Sequence, residues 1–295
     1  MKSYRFFILD VFAEKKYAGN QLAVFSDAST LSTEEMQAIA GETNFSETTF
    51  ILSRTPRDGG YDVRIFTPRH EVPFAGHPTL GTAYILQQEI IGSPVEQVIL
   101  NLKIGKIPVD ITYQDGIPDT LWMKQIQPEF GAELPAEAVM NMLGLESGAW
   151  DKHFPVQSVS TGLPMFMVPI TTLENLRRIR VNTEAYYRLI KDQTAKAFYV
   201  FCPETYHAKN HLSARMFGDY YGVPEDPATG SAAGSLAGYL TRHRYLNADT
   251  ISVRLEQGYE MGRPSLLLLN TKSHDEHIDI RVGGQVVKVA EGTFL

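Results

Sequence analysis

At 295 residues, the chain is long enough to build two cores of about 150 residues each, and its formal net charge of -7 argues against nucleic acid and anionic membrane surfaces as partners. Its one cysteine, Cys202, excludes an internal disulfide or a thiol pair. Apolar runs of strand length only, and Asp10 close behind the N-terminus, predict a soluble cytoplasmic protein with no transmembrane span and no secretory signal.

In chain order, residues 4–12 read as a first strand, and 18–25 as a glycine turn feeding a second, buried one. Ser32-Thr-Glu-Glu35 is a capping box that opens a short amphipathic helix through Met36, Ile39 and Ala40. The helix ends near 41–44, and a strand follows at 48–52, so Glu47 stands at a helix-to-strand corner. A charged turn at 54–60 leads to an alternating strand at 61–66, and a helix of small residues is predicted over 78–89. Strands follow at 97–102, 104–113 and 120–125; Pro, Gly and acidic residues at 128–135 then read as the crossing to a second half. There the reading gives helices at 136–143, 173–178 and 183–192, a glycine turn before a buried strand within 156–169, and strands at 197–201 and 212–217. The tail carries strands at 250–257, 265–270, 278–282 and 286–290.

The stretch between 222 and 240 concentrates the unusual chemistry. Asp226 reads as an N-cap and Pro227 as the first helical residue, and no side chain larger than Thr recurs until Leu236. A helix so poor in charge and bulk has no solvent face. Ala75-Gly-His-Pro-Thr-Leu-Gly-Thr-Ala83 aligns with Glu225-Asp-Pro-Ala-Thr-Gly-Ser-Ala232 when His77 is laid on Asp226. Arg64-Ile-Phe66 pairs with Arg215-Met-Phe217 after a slip of two residues, so the chain reads as a duplication with a site between its halves.

Two helix N-termini offer unpaired amides and partial positive charge, which suits a carboxylate. Gly76, Gly81 and Gly230 would let amides approach it, while Ser231 and Thr82 would add hydroxyls. Glu47, His77 and Asp226 are the candidate proton carriers: Phe45 and Phe50 flank Glu47 in sequence, and an apolar wall raises a carboxyl pKa toward neutrality. The competing reading makes Glu47 a solvated strand end and His77 and Asp226 plain helix caps.

The residues Gly19-Asn-Gln-Leu-Ala-Val24, Asn44-Phe-Ser-Glu-Thr48, Val72-Pro-Phe-Ala-Gly-His-Pro-Thr79, Glu225-Asp-Pro-Ala-Thr-Gly-Ser-Ala232, Gly262-Arg-Pro-Ser265 and Val282-Gly-Gly284 resemble the PhzF-like family of phenazine-biosynthesis isomerases. The resemblance covers nearly the full length. It implies the diaminopimelate-epimerase fold, an α/β (α+β) architecture of two pseudo-symmetric halves, each a curved, mostly antiparallel sheet around a central helix. The halves are expected at 1–125, with the last strand, 284–295, returning to the first, and at 126–283. The family's acid/base glutamate falls on Glu47, and its cleft residues on Gly76, His77, Asp226, Gly230 and Ser231. The resemblance further implies an isomerase that uses no cofactor and no metal, acts on a small carboxylate in the interdomain cleft, and forms a homodimer. Related epimerases carry a cysteine at each helix N-terminus; His77 and Asp226 stand there instead, which argues against two-thiol racemisation. Two further readings stay open: a small-anion binder of the same fold without chemistry, and a racemase using a Glu–Asp pair.

His274, Asp275, Glu276 and His277 read as a solvated turn and not as a metal site, and His207 and His211 are read likewise. Cys202 reads as a packed small hydrophobe. Arg64 and Arg215 read as structural, either on exposed strand faces or bridging halves or subunits.

Overall fold

The computed structural model describes residues 3–274 and 277–295. The chain divides into two compact units, Met1–Lys124 with Gly283–Leu295, and Gln125–Val282.

The first unit contains β1 (Tyr4–Val11), β2 (Asn20–Phe25), α1 (Thr33–Thr43), β3 (Glu47–Ile51), β4 (Tyr61–Phe66), β5 (Glu71–Val72), α2 (Gly76–Ile85), β6 (Gln97–Leu102), β7 (Gly105–Gln114) and β8 (Ile117–Lys124). The second contains β9 (Glu129–Glu133), α3 (Ala136–Met142), β10 (Gln157–Ser160), β11 (Met165–Pro169), α4 (Leu173–Arg178), α5 (Thr183–Ile190), β12 (Ala197–Cys202), β13 (Leu212–Gly218), β14 (Val223–Asp226), α6 (Gly230–Arg242), β15 (Thr250–Gln257), β16 (Ser265–His274) and β17 (His277–Gly284). The final strand, β18 (Val286–Phe294), pairs antiparallel with β1 in the first unit.

The two units repeat one pairing scheme. In the first, β18, β1 and β2 run antiparallel, β2 is parallel to β3, β3 is antiparallel to β4, β4 is parallel to β6, and β6, β7 and β8 are antiparallel. In the second, β9, β10 and β11 are antiparallel, β11 is parallel to β12, β12 is antiparallel to β13, β13 is parallel to β15, and β15 is antiparallel to β16. The C-terminal β18 thus takes in the first unit the place that β9 holds in the second. A short antiparallel strand, β5 on β4 and β14 on β13, precedes the central helix in each.

The central helices are buried because their residues are small or apolar on every side. In α2, the residues from His77 to Ala83 are all buried, and the helix touches β1, β2, β3, β6, β7, β8 and β18. In α6, every residue from Ala232 to Thr241 is buried, against β10, β11 and β16. Glycine sets the approach distance: a Cβ on Gly81 would come within 2.5 Å of the Leu22 side chain, and one on Gly238 within 2.7 Å of Pro128. Each sheet also has an outer layer. Phe25, Phe50 and Phe66 pack under Met36 and Ala40 of α1, and Phe166, Phe198 and Cys202 belong with Val139, Leu176 and Tyr186 of α3, α4 and α5 to one cluster. With both faces covered, β12 is buried at all six positions, AFYVFC, which explains its unbroken apolar run.

Several predicted elements change in detail. The expected crossing at 128–135 is largely β9, because its backbone pairs with β10, and the division between the units falls before Gln125. The helix expected over 78–89 starts at Gly76 and passes into a π-helical segment at Leu86–Ile91, capped by Gly92 in the left-handed region. The capping box on α1 forms as read, with Asn44 closing the helix at φ 53°.

Arg64 and Arg215 each hold a carboxylate in a two-pronged grip within their own unit: Arg64 holds Glu71, and Arg215 holds Glu225, with both contacts 2.8 Å in each pair. Hydrogen bonding from Arg64, aided by Lys103, pulls the Glu71 carboxyl down to about 2. Each guanidinium also lies over a ring two residues on, Phe66 or Phe217.

These grips correct the register of the internal repeat. Ile65 faces Val72 and Met216 faces Asp226 across equivalent strand pairs, so Asp226 corresponds to Val72, not to His77. Glu71 then matches Glu225, Pro73 matches Pro227, Gly76 matches Gly230, and His77 matches Ser231. The alignment on His77-Pro78 and Asp226-Pro227 pairs two X-Pro steps that are not equivalent in the repeat. The 3-10 turn Asp219–Tyr221 between β13 and β14 absorbs the extra residues of the second unit.

Cys202 is fully buried, and burial pushes its thiol up to about 12. The folded protein is therefore expected to give no reaction with a disulfide thiol reagent at pH 8, and one thiol per chain after denaturation. Rapid native labelling would contradict this packing.

Candidate active site

Glu47 and His77 meet within the first unit. Glu47 opens β3 beside Leu22 of β2, and His77 is the second residue of α2. Glu47 Oε2 and His77 Nε2 lie 3.4 Å apart, and both atoms are shut off from solvent. Their geometry is not that of a hydrogen bond, and among the described residues His77 Nε2 has no hydrogen-bond partner.

The apolar wall expected around Glu47 does not form from its flanking phenylalanines. Side chains alternate along β3, so Thr48 and Phe50 face α1, where Thr48 shares a hydroxyl contact with Thr43 at 2.7 Å and Phe50 enters the core under Met36. Phe45 packs in that same cluster. Glu47 and Thr49 face α2 instead, and Thr82 donates to Thr49 at 2.8 Å. Thr82 is thus buried in a polar lock between helix and strand and offers no hydroxyl to a ligand. Gly81 likewise serves close packing against Leu22 and Val11, not amide access.

Burial lowers the His77 imidazole to about 3, opposed by a hydrogen bond to the Gln21 backbone. His77 is therefore neutral at physiological pH, and its contact with Glu47 is no ion pair. The folded pKa lies below the unfolded value near 6.5, so the unfolded chain gains a proton that the folded chain refuses. The associated stability is complete above pH ~6.5 and is lost as pH falls toward about 3. From this group alone, urea unfolding at pH 4.5 should give a stability about 2–3 kcal/mol below that at pH 7.5. His77→Asn should lack that share of the decline; an identical pH dependence in both proteins would refute it.

In the second unit, Asp226 is not a helix cap. It ends β14, and α6 begins at Gly230 after Thr229. Side chains hold the intervening residues out of the helix: Ser265 donates to the Pro227 carbonyl at 2.8 Å, and Gln257 Nε2 donates to the Asp226 carbonyl at 2.8 Å. Thr229 Oγ1 donates to Asp226 Oδ2. Gly258, at φ +79°, completes this turn, since a Cβ there would meet the Pro227 oxygen at 2.5 Å and the Arg263 oxygen at 2.4 Å. Asp226 is 9 % exposed, Gly230 is buried, and Ser231 is half-buried at the second position of α6. Gly76 opens α2 as Gly230 opens α6.

Sequence reasoning missed Thr229, Gln257 and the Gln21 backbone. One signal was present: Glu256 and Gln257 break the alternation at the end of β15, just before a glycine, and both are buried. Asp275 and Glu276 of the histidine-bearing turn lie outside the described residues. Among the described residues, no group of three His, Cys, Asp or Glu side chains is placed to hold a metal ion. His211 Nδ1 instead accepts from the Arg254 amide at 2.9 Å. No helix among the described residues is long and apolar enough to cross a membrane.

This fold agrees with comparisons against known proteins. The family described as PhzC-PhzF, phenazine biosynthesis-like protein, matches residues 9–292. The trans-2,3-dihydro-3-hydroxyanthranilate isomerase of Pseudomonas aeruginosa is 36% identical, with 98% of each chain covered. An uncharacterized isomerase of Mesorhizobium japonicum is 38% identical over 99% of each chain. The crystal structure of a PhzF-family phenazine biosynthesis protein from Bacillus anthracis superposes with a TM-score of 0.91 at 30% identity, covering 100% of both chains. With a family match over nearly its whole length and relatives that are isomerases, the chain belongs to the phenazine biosynthesis-like PhzC/PhzF family and is an isomerase.

Proposed function

We propose that the protein moves a proton within a small, carboxylated, unsaturated metabolite, with Glu47 taking the proton from one carbon and returning it to another. The observation that supports this most directly is the solvent-excluded approach of Glu47 Oε2 to a neutral His77 Nε2, at 3.4 Å. With Nε2 unpartnered, the imidazole bonds the Gln21 backbone through Nδ1, so the Nδ1–H tautomer turns the Nε2 lone pair toward Glu47. A neutral imidazole at this distance sets no charge beside the Glu47 carboxyl, which itself carries the proton while electrons shift along the substrate's unsaturation. The carboxylate form then re-forms when the proton is delivered to the second carbon. Substrate and product have the same oxidation level, so the two side chains can carry the step without a redox partner.

Binding falls to the starts of the central helices. The helix start at Gly76, and in the second unit that at Gly230 and Ser231, would each favour a carboxylate, since helix N-termini favour negative charge. Asp226 then accepts from a hydroxyl or amine of the substrate and orients it.

The relatives' named compound, trans-2,3-dihydro-3-hydroxyanthranilate, is the first probe. Incubated with the protein in heavy water, it should isomerise and take up deuterium at carbon, followed by proton NMR. A protein that binds this or a related carboxylate in a thermal-shift screen yet never exchanges a carbon-bound proton would be a binder, and the reading would fail.

A further inference from the structure

We propose that Gln257 is a positioning residue for Asp226: it dictates the direction of the Thr229 hydroxyl proton, which in turn holds the Asp226 carboxylate. The inference rests on the binding role given to Asp226 above, but its geometry stands independently in the second unit.

The amide orientation of Gln257 is decided by its neighbours. Tyr199 OH, fully buried on β12, lies 2.8 Å from Gln257 Oε1, and the Thr229 amide donates to the same oxygen at 3.2 Å. The Thr229 N–H can only donate, so that atom is the carbonyl oxygen and the other is the NH2 group. One NH2 proton goes to the Asp226 carbonyl at 2.8 Å and the other to Thr229 Oγ1 at 3.1 Å. Having accepted from Gln257, the Thr229 hydroxyl has one proton of its own to give, and Asp226 Oδ2 is the acceptor it meets. Every donor that leads to the Asp226 carboxylate, from Tyr199 through Gln257 to Thr229, is thereby oriented.

The rigidity of this arrangement comes from its supports. Tyr199 and Gln257 are held in β12 and β15, and Gln257 is 1 % exposed. Gly258, immediately after Gln257, takes the left-handed conformation that lets its backbone lie against Pro227. Through Thr229 and Gln257, the direction of this carboxylate is tied to two sheet strands. Positioning of this kind affects rate steeply, because a displacement of about 1 Å in an orienting group costs up to roughly a hundredfold.

The test compares Gln257→Leu, Thr229→Val and Thr229→Ser by crystallography and by turnover of trans-2,3-dihydro-3-hydroxyanthranilate. In Gln257→Leu and Thr229→Val, the Asp226 carboxylate should leave its place by more than about 1 Å, and kcat/KM should fall about 10- to 100-fold. Thr229→Ser keeps the hydroxyl, so it should keep the carboxylate in place and stay within about threefold of wild type. In an Asp226→Asn background, Gln257→Leu should cost less than about twofold more, because it acts through Asp226. An unmoved carboxylate in both Gln257→Leu and Thr229→Val overturns the proposal whatever the activity, as does a fully additive loss. If Gln257→Leu does not fold, the Thr229→Val and Thr229→Ser pair decides. A displaced carboxylate with full activity in Asp226→Asn would leave the positioning intact and remove the binding role of Asp226.

Discussion

Glu47→Gln is expected to lower proton transfer to and from carbon by about a thousandfold, within the 10²- to 10⁴-fold range of a lost general acid–base, while KM stays within about threefold. Gln has nearly the shape of Glu and can occupy the start of β3 beside His77, but it cannot take up a proton and give it back. His77 does not substitute for it, because its imidazole sits at about 3 and turns toward a carboxyl partner that the variant no longer offers. The measurement is deuterium incorporation from solvent into trans-2,3-dihydro-3-hydroxyanthranilate, with binding followed separately by calorimetry. Full exchange in the variant would take Glu47 out of the mechanism; loss of binding together with exchange would make it a structural residue.

Glu256→Ala should be strongly destabilising, at about 4 kcal/mol, or roughly 10 °C in melting temperature for a unit of this size. Glu256 is 1 % exposed and accepts from the Tyr206 amide at 2.7 Å, the His207 amide at 2.9 Å, Asn210 Nδ2 at 2.6 Å and Ser213 Oγ at 2.9 Å. Removing the carboxylate strands these donors, and each desolvated, unsatisfied group costs about 1–3 kcal/mol. Partial access of water to the emptied pocket reduces the sum. Glu256→Gln should lose about half as much, because its carbonyl still accepts while its NH2 confronts donors. Hydrogen exchange at Tyr206 and His207 should accelerate in both variants, since these amides lose their acceptor. A loss below 1 kcal/mol in Glu256→Ala, with exchange unchanged, would show that the segment is held by other contacts.

Local chemistry was legible wherever one residue decides a local outcome. Ser32 and Glu35 satisfy each other's backbone at the start of α1, and the strand read at 250–257 is β15, Thr250–Gln257. The family motifs were legible for a similar reason, since they recur as words in the chain. Registers that depend on distant strands were not. The match of His77 with Asp226 rests on sequence alone, whereas strand pairing and the Arg64–Glu71 and Arg215–Glu225 grips make Ser231 the repeat equivalent of His77. Likewise, Phe50 is three residues from Glu47 and therefore on the opposite face of β3, so closeness along the chain did not make it a wall.

By itself, then, the sequence determined the mixed α/β class, the charge-free central helices and the presence of Glu47, His77, Gly76, Asp226, Gly230 and Ser231 in their motifs. Small residues without charge can only be buried, and a motif is carried in the residues themselves. Only the tertiary structure decided which side chains meet: Glu47 with His77 across the start of α2, Asp226 with Thr229 and Gln257 outside α6, and Glu256 with the segment it holds. The partners in these contacts are separated by as many as 50 residues, as for Tyr206 and Glu256. Their meeting depends on strand register, which hydrogen bonding between strands sets and no local pattern encodes.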